Sequence, residues 1–86
     1  MVYRRNETPD MKAKMYDRIK LLIDVTAEFS SVTIRKGAEG TIVDCFSAPS
    51  EGYSADFRIP NPNSNGTTID VHTTVYPDQF AVIGNS

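Results

Sequence analysis

The chain of 86 residues has no tryptophan, one cysteine and one histidine. The lone Cys45 excludes an internal disulfide and fits a reducing compartment, so a cytoplasmic location is expected. The lone His72 gives the usual histidine-based triads a single candidate base, and one His with one Cys falls short of a zinc set. Long apolar runs are missing: stretches such as Leu21-Leu22-Ile23 are far below the ~20 residues of a membrane helix. Arg4 and Arg5 have no apolar stretch behind them, so no secretory signal is expected. Gly37 and Gly40 are not followed by Gly-Lys-Ser/Thr, so they do not make a phosphate loop.

What is present fits one small domain. Hydrophobic residues are 40% and charged residues 23%, ordinary for a globular chain. A chain of this length buries only about 60% of its unfolded surface, which predicts modest stability. The net charge of −2 is unevenly spread. The first twenty residues carry +3, from Arg4, Arg5, Lys12, Lys14, Arg18 and Lys20 against three acids, and the remainder carries −5. An acidic body repels phosphate backbones, so nucleic acid is not an expected partner. The basic lead segment reads as a solvated tail.

Residues 1–14 read as an N-terminal extension and 15–86 as the domain. Met11 or Met15 is an alternative natural start. Thr8-Pro9-Asp10 has the chemistry of a helix start: a cap, a proline at the first turn, an acid at the positive end of the dipole. Met11 and Met15, four apart, would share one face of that short helix. Residues 17–25 alternate as a first strand. Residues 26–33 form a polar loop holding Phe29, which is either an anchor over the open end or part of a binding face.

Residues 34–46 are the stretch the rest is organised around: two glycines in a charged turn, then the strand-formers Thr41, Ile42, Val43 and Phe46. Residues 47–52 are a turn cluster. Residues 53–59 alternate most clearly, with Tyr53, Ala55, Phe57 and Ile59 on one face. Residues 60–66 are a loop rich in Pro and Asn, and Asn65-Gly66 suits a left-handed turn. Residues 67–75 alternate again, residues 76–80 read as a single 3₁₀ turn, and residues 81–83 make a last short strand.

Five short strands predict an all-β domain, a small barrel or two packed sheets, because closure hides exposed edges. The expected core is Ile19, Leu21, Val43, Tyr53, Ala55, Phe57, Ile69, Val71, Phe80 and Val82. A bulge near Gly40 to Phe46 would decide which of Ile42 and Val43 points inward. His72 reads as a solvated surface residue and Cys45 as a buried thiol. Asp44, Asp56 and Asp70 read as a solvated acidic face rather than paired catalytic carboxylates.

The series Tyr16-Asp17-x-Ile19-x-Leu21-Leu22-x-Asp24-Val25, Ile34-x-Lys36-Gly37-x-x-Gly40-Thr41-Ile42-Val43, Tyr53-x-Ala55-x-Phe57 and Pro77-Asp78-Gln79-Phe80 resembles a family of small bacterial SH3-like barrels of unknown function. It is similar, more distantly, to the SH3-like ferredoxin-docking subunit of photosynthetic NDH complexes. The resemblance spans residues 15–83, and its specific part is the Gly-x-x-Gly-Thr-Ile-Val segment. It implies a five-stranded SH3-like barrel and an accessory or immunity-type bacterial protein carried on a mobile element such as a gene cassette. It implies no reaction and no cofactor. The long loop after Ile59 and the N-terminal extension depart from the family pattern.

A row of aromatics with a tryptophan, by which SH3 domains grip polyproline, is missing, so a Pro-rich ligand is not expected. Binding to a protein partner, or self-association, is expected through Met11, Met15, Tyr16, Phe29 and Tyr76, with Phe46 beside them. The alternative is a small molecule held between the first loop and the 60–66 loop. No metal and no catalytic residue are expected, and the chain is read as non-enzymatic.

Overall fold

The computed structural model describes residues 11–28 and 31–85. It is built of β-structure: β1 (Arg18–Leu21), β2 (Val25–Thr26), β3 (Thr33–Ile34), β4 (Glu39–Phe46), β5 (Gly52–Pro60), β6 (Thr68–Val75), a 3₁₀ turn (Pro77–Gln79) and β7 (Phe80–Gly84). Five strands form one antiparallel sheet in the order β6-β5-β4-β1-β7, and β2 and β3 form a separate two-stranded ribbon. The organising stretch becomes the central strand, β4, paired on one side with β1 and on the other with β5.

Two expectations are corrected. The sheet does not close into a barrel: among the described residues no ladder joins the outer strands β6 and β7. Alternation marks the buried face of each strand but says nothing about whether the outermost strands meet. There is also no N-terminal helix among the described residues. The predicted start at Thr8-Pro9-Asp10 lies outside them, and residues 11–17 are turns and irregular chain. Two helical turns are too few to hold themselves together, and this segment instead hydrogen-bonds to the sheet at Ile42 and Tyr53, to Glu51 before β5, and within itself between Lys14 and Asp17.

The first strand is shorter than expected. It ends at Leu21, and residues 22–24 bend away with Leu22 and Ile23 exposed. Asp24 explains the exit: its Oδ1 accepts the Lys36 amide at 2.7 Å, an alternative to ladder pairing that short acidic side chains offer the backbone. Gly37 closes the same turn, donating its amide to the Leu21 carbonyl at 2.9 Å with φ +93°.

The core is Ile19, Leu21, Val25, Ile34, Ile42, Tyr53, Ala55, Phe57, Ile59, Val71, Val75 and Phe80, joined by Ala13 and Ala27. A bulge between Ile42 and Asp44 settles the register of β4. Ile42 is fully buried, and Val43, expected inside, is only half-buried. Ile69 and Val82, also expected inside, pack against the core while half-buried. Tyr53 and Phe80 meet edge to face at 5.4 Å, the favoured geometry for an aromatic pair.

Candidate functional site

The N-terminal segment crosses the end of the sheet as a strap. Lys12 donates its amide to Glu51 Oε2 at 2.8 Å. Its ammonium donates to the carbonyls of Pro77 and Phe80 and lies 4.7 Å from the centre of the Phe80 ring, within cation–π range. The next residue, Ala13, is buried and donates its amide to the Tyr53 hydroxyl at 3.2 Å. Tyr53 in turn donates to Glu51 Oε2. Tyr16, at φ +71°, donates its amide to Ile42 O at 2.7 Å. Asp17 is almost wholly buried, and its Oδ2 accepts the Lys14 amide at 3.0 Å.

Three parts of the fold position this site: the turn at residues 47–51 supplies Glu51, β5 supplies Tyr53, and the 3₁₀ turn with the start of β7 supplies the two carbonyls and the Phe80 ring. Gln79 fixes the 3₁₀ turn by accepting the Tyr76 amide on its side chain and donating its own amide to Tyr76 O, both at 2.9 Å. The electrostatics follow from these bonds. The Lys12 amide, and after it the Tyr53 hydroxyl, hold the Glu51 carboxyl below its ordinary value of 4.5. Burial, and after it the Glu51 hydrogen bond, push the Tyr53 phenol up to about 12.

The expected contact residues divide. Met11 is half-buried and packs against the core. Met15, Tyr16 and Tyr76 are exposed. Phe29 lies outside the described residues. Phe46 is exposed beside Tyr76: a β-carbon on Gly52 would lie 3.3 Å from the Tyr76 ring and 3.8 Å from that of Phe46. Lys12, Glu51 and Tyr53 were not expected as site residues. Lys12 stands in the basic lead that reads as a solvated tail, and its partners are 39 to 68 residues away in the chain. No local pattern announces such a meeting.

Other features are more ordinary. The outer face of the sheet carries exposed pairs: Arg18–Glu39 and Arg58–Asp70 at 3.0 Å, and His72 Nδ1 to Asp56 Oδ1 at 2.6 Å. With Thr41, these residues other than His72 line a shallow concavity of about 450 Å³. Asp56 and Asp70 are thus each held by a basic partner. Cys45 is half-buried, and burial, then Asp44, then Asp17 push its thiol up, away from the thiolate that reactivity requires. A second concavity, of about 380 Å³, lies between Ser31, Val32 and Thr33 and the loop residues Pro60, Pro62 and Asn63. It adjoins another of about 400 Å³ lined by Thr33, Arg35, Lys36, Ala38, Ile59 and Pro60.

Among the described residues, no three His, Cys, Asp or Glu side chains gather as a metal site would need. No helix among them is long and apolar enough to cross a membrane. No family model, curated protein or solved structure matches the chain.

Proposed function

We propose that the chain is a non-enzymatic protein-interaction module on an SH3-like fold. Five antiparallel strands with one 3₁₀ turn before the last support the SH3-like reading. The observation that carries the interaction reading is the group of large apolar side chains left in solvent. Tyr16 is 60% and Tyr76 46% exposed, and Met15 and Phe46 are exposed with them. Tyrosine offers a broad apolar ring with a polar rim at little conformational cost, and it is enriched in the energetic centres of interfaces. A cytoplasmic accessory or immunity-type bacterial role, on a mobile element such as a gene cassette, goes with this reading.

Selection from a displayed random-peptide library tests it, with the Tyr16→Ser/Tyr76→Ser double variant as control. The wild-type domain enriches apolar sequences and the folded variant loses them. If neither protein enriches any sequence and both stay monomeric at every concentration tested, the proposal fails.

A second reading has its own observation, the adjoining concavities on either side of Thr33, Ile59 and Pro60. Their floor is partly apolar and Arg35 and Lys36 stand at one rim, which suits a small amphipathic anion. A fragment screen by thermal shift, repeated on Arg35→Ala/Lys36→Ala, decides it. A carboxylate fragment that stabilises the wild type and not the variant supports this reading; no stabilising fragment removes it.

A further inference from the structure

Glu51, Tyr53, Pro77 and Phe80 hold the Lys12-Ala13 segment of the chain itself. We propose that this site recognises an irregular, bent segment with the sequence lysine–small residue, that Lys12-Ala13 fills it in cis, and that a lysine-bearing segment of a partner protein fills it in trans. The inference rests on the interaction reading of this end of the molecule and names the chemistry of the partner.

Each contact has a counterpart in a general ligand. Glu51 accepts one backbone amide and the Tyr53 hydroxyl accepts the next. These two bonds read backbone amides and are indifferent to side chains. Specificity comes from what lies between the elements. Two carbonyls, of Pro77 and Phe80, converge on a point above the Phe80 ring. Carbonyl oxygens and a ring face all attract a compact cation with several donors, which is an ammonium rather than the flat fork of a guanidinium. The following position is buried at Ala13, so it admits a small side chain and rejects a large one.

Covalent attachment gives Lys12-Ala13 an effective concentration of the order of millimolar at this site. A free peptide therefore meets a site already filled, and a partner binds only by displacing the strap. Emptying the lysine position should expose the latent affinity.

The probe is a synthetic peptide copying residues 9–16, with a second carrying norleucine in place of its lysine equivalent to Lys12. Both are titrated into full-length protein and into full-length Lys12→Ala, with the amide resonances of Glu51, Tyr53 and Phe80 followed. The lysine peptide should bind Lys12→Ala roughly ten- to hundredfold more tightly than the wild type, and the norleucine peptide should lose that gain, as expected for one charge-assisted contact. Equal binding of the two peptides, or no binding to a folded Lys12→Ala, overturns the proposal. Should Lys12→Ala fail to fold, the wild type still decides. Excess lysine peptide must speed hydrogen exchange at the Ala13 amide and excess norleucine peptide must not; no acceleration overturns the proposal. If the lysine peptide fails while the library still enriches apolar sequences against Tyr16 and Tyr76, only the lysine site is lost and the interaction reading stands.

Discussion

Gly37 and Gly40 stand three positions apart, and the molecule needs them for different reasons. Gly37 sits at φ +93° with open space where a β-carbon would go. Its requirement is a left-handed backbone, and Gly37→Ala should cost about 1–2 kcal/mol. Gly40 takes no positive φ. It lies opposite Phe57 in the ladder, and a β-carbon there would sit 2.7 Å from the Phe57 ring and 2.8 Å from the Asp56 carbonyl. Its requirement is room against a ring that is itself fully buried, so Gly40→Ala should cost about 1–3 kcal/mol through overpacking. Urea unfolding of both variants checks this, and adding Phe57→Leu separates the causes. The second change should relieve the part of the Gly40→Ala cost that comes from the ring, leaving the part from the Asp56 carbonyl, and should leave Gly37→Ala as it was. The sequence shows two glycines near a turn; it does not show that only one of them is there for its backbone.

At the scale of elements, the bulge in β4 and the strap carry the contrast between what the chain reveals and what it conceals. The alternation of Tyr53, Ala55, Phe57 and Ile59 is legible because one face of β5 is buried along its length. In β4 the alternation Ile42, Val43 is ambiguous on its face, and a single extra residue resolves it. Ile42→Ala should therefore cost about 2–5 kcal/mol, and Val43→Ala well under half as much; comparable losses in urea unfolding would mean the register is wrong. The strap was not legible at all, since Lys12 reaches groups supplied by distant turns. Its chemistry should appear in the pH dependence. Glu51 has its proton affinity lowered on folding, so its contribution is complete above 4.5 and declines as the pH falls through the folded value. Tyr53 has its proton affinity raised. Between its ordinary value of 10.0 and about 12 the folded chain keeps a proton that the unfolded chain releases, so stability is full below 10.0 and falls as the pH rises. Thermal melts of wild type and Tyr53→Phe across this range should show the alkaline decline shrinking in the variant. An identical decline in both would detach Tyr53 from it.

For the whole molecule, the question is which forces hold a small open sheet together. Among the described residues, fourteen apolar side chains are buried, against two polar residues, Asp17 and Thr73. The ion pairs lie elsewhere: Arg18–Glu39, Arg58–Asp70 and Arg35–Asp24 all have both side chains more than half exposed, as does the His72–Asp56 hydrogen bond. Pairs in that setting contribute about 0–1 kcal/mol each and are screened by salt. The alternation that was legible in the sequence placed the apolar faces, and those faces hold the stability. The cross-strand charges that decorate the outer face became visible only once the strands were in register, Asp56 opposite His72 and Arg58 opposite Asp70. Molar sodium chloride should therefore move the melting temperature by no more than about 5 °C, the shift that roughly 1 kcal/mol produces in a domain of this size. The screening of three surface pairs and the relief of the acidic excess beyond residue 20 act in opposite directions, which narrows the shift further. A fall well beyond that, recovered by replacing Arg58 and Asp70 together with threonine, would mean that the outer-face charges, and not the buried rings of Tyr53, Phe57 and Phe80, are what keep the sheet folded.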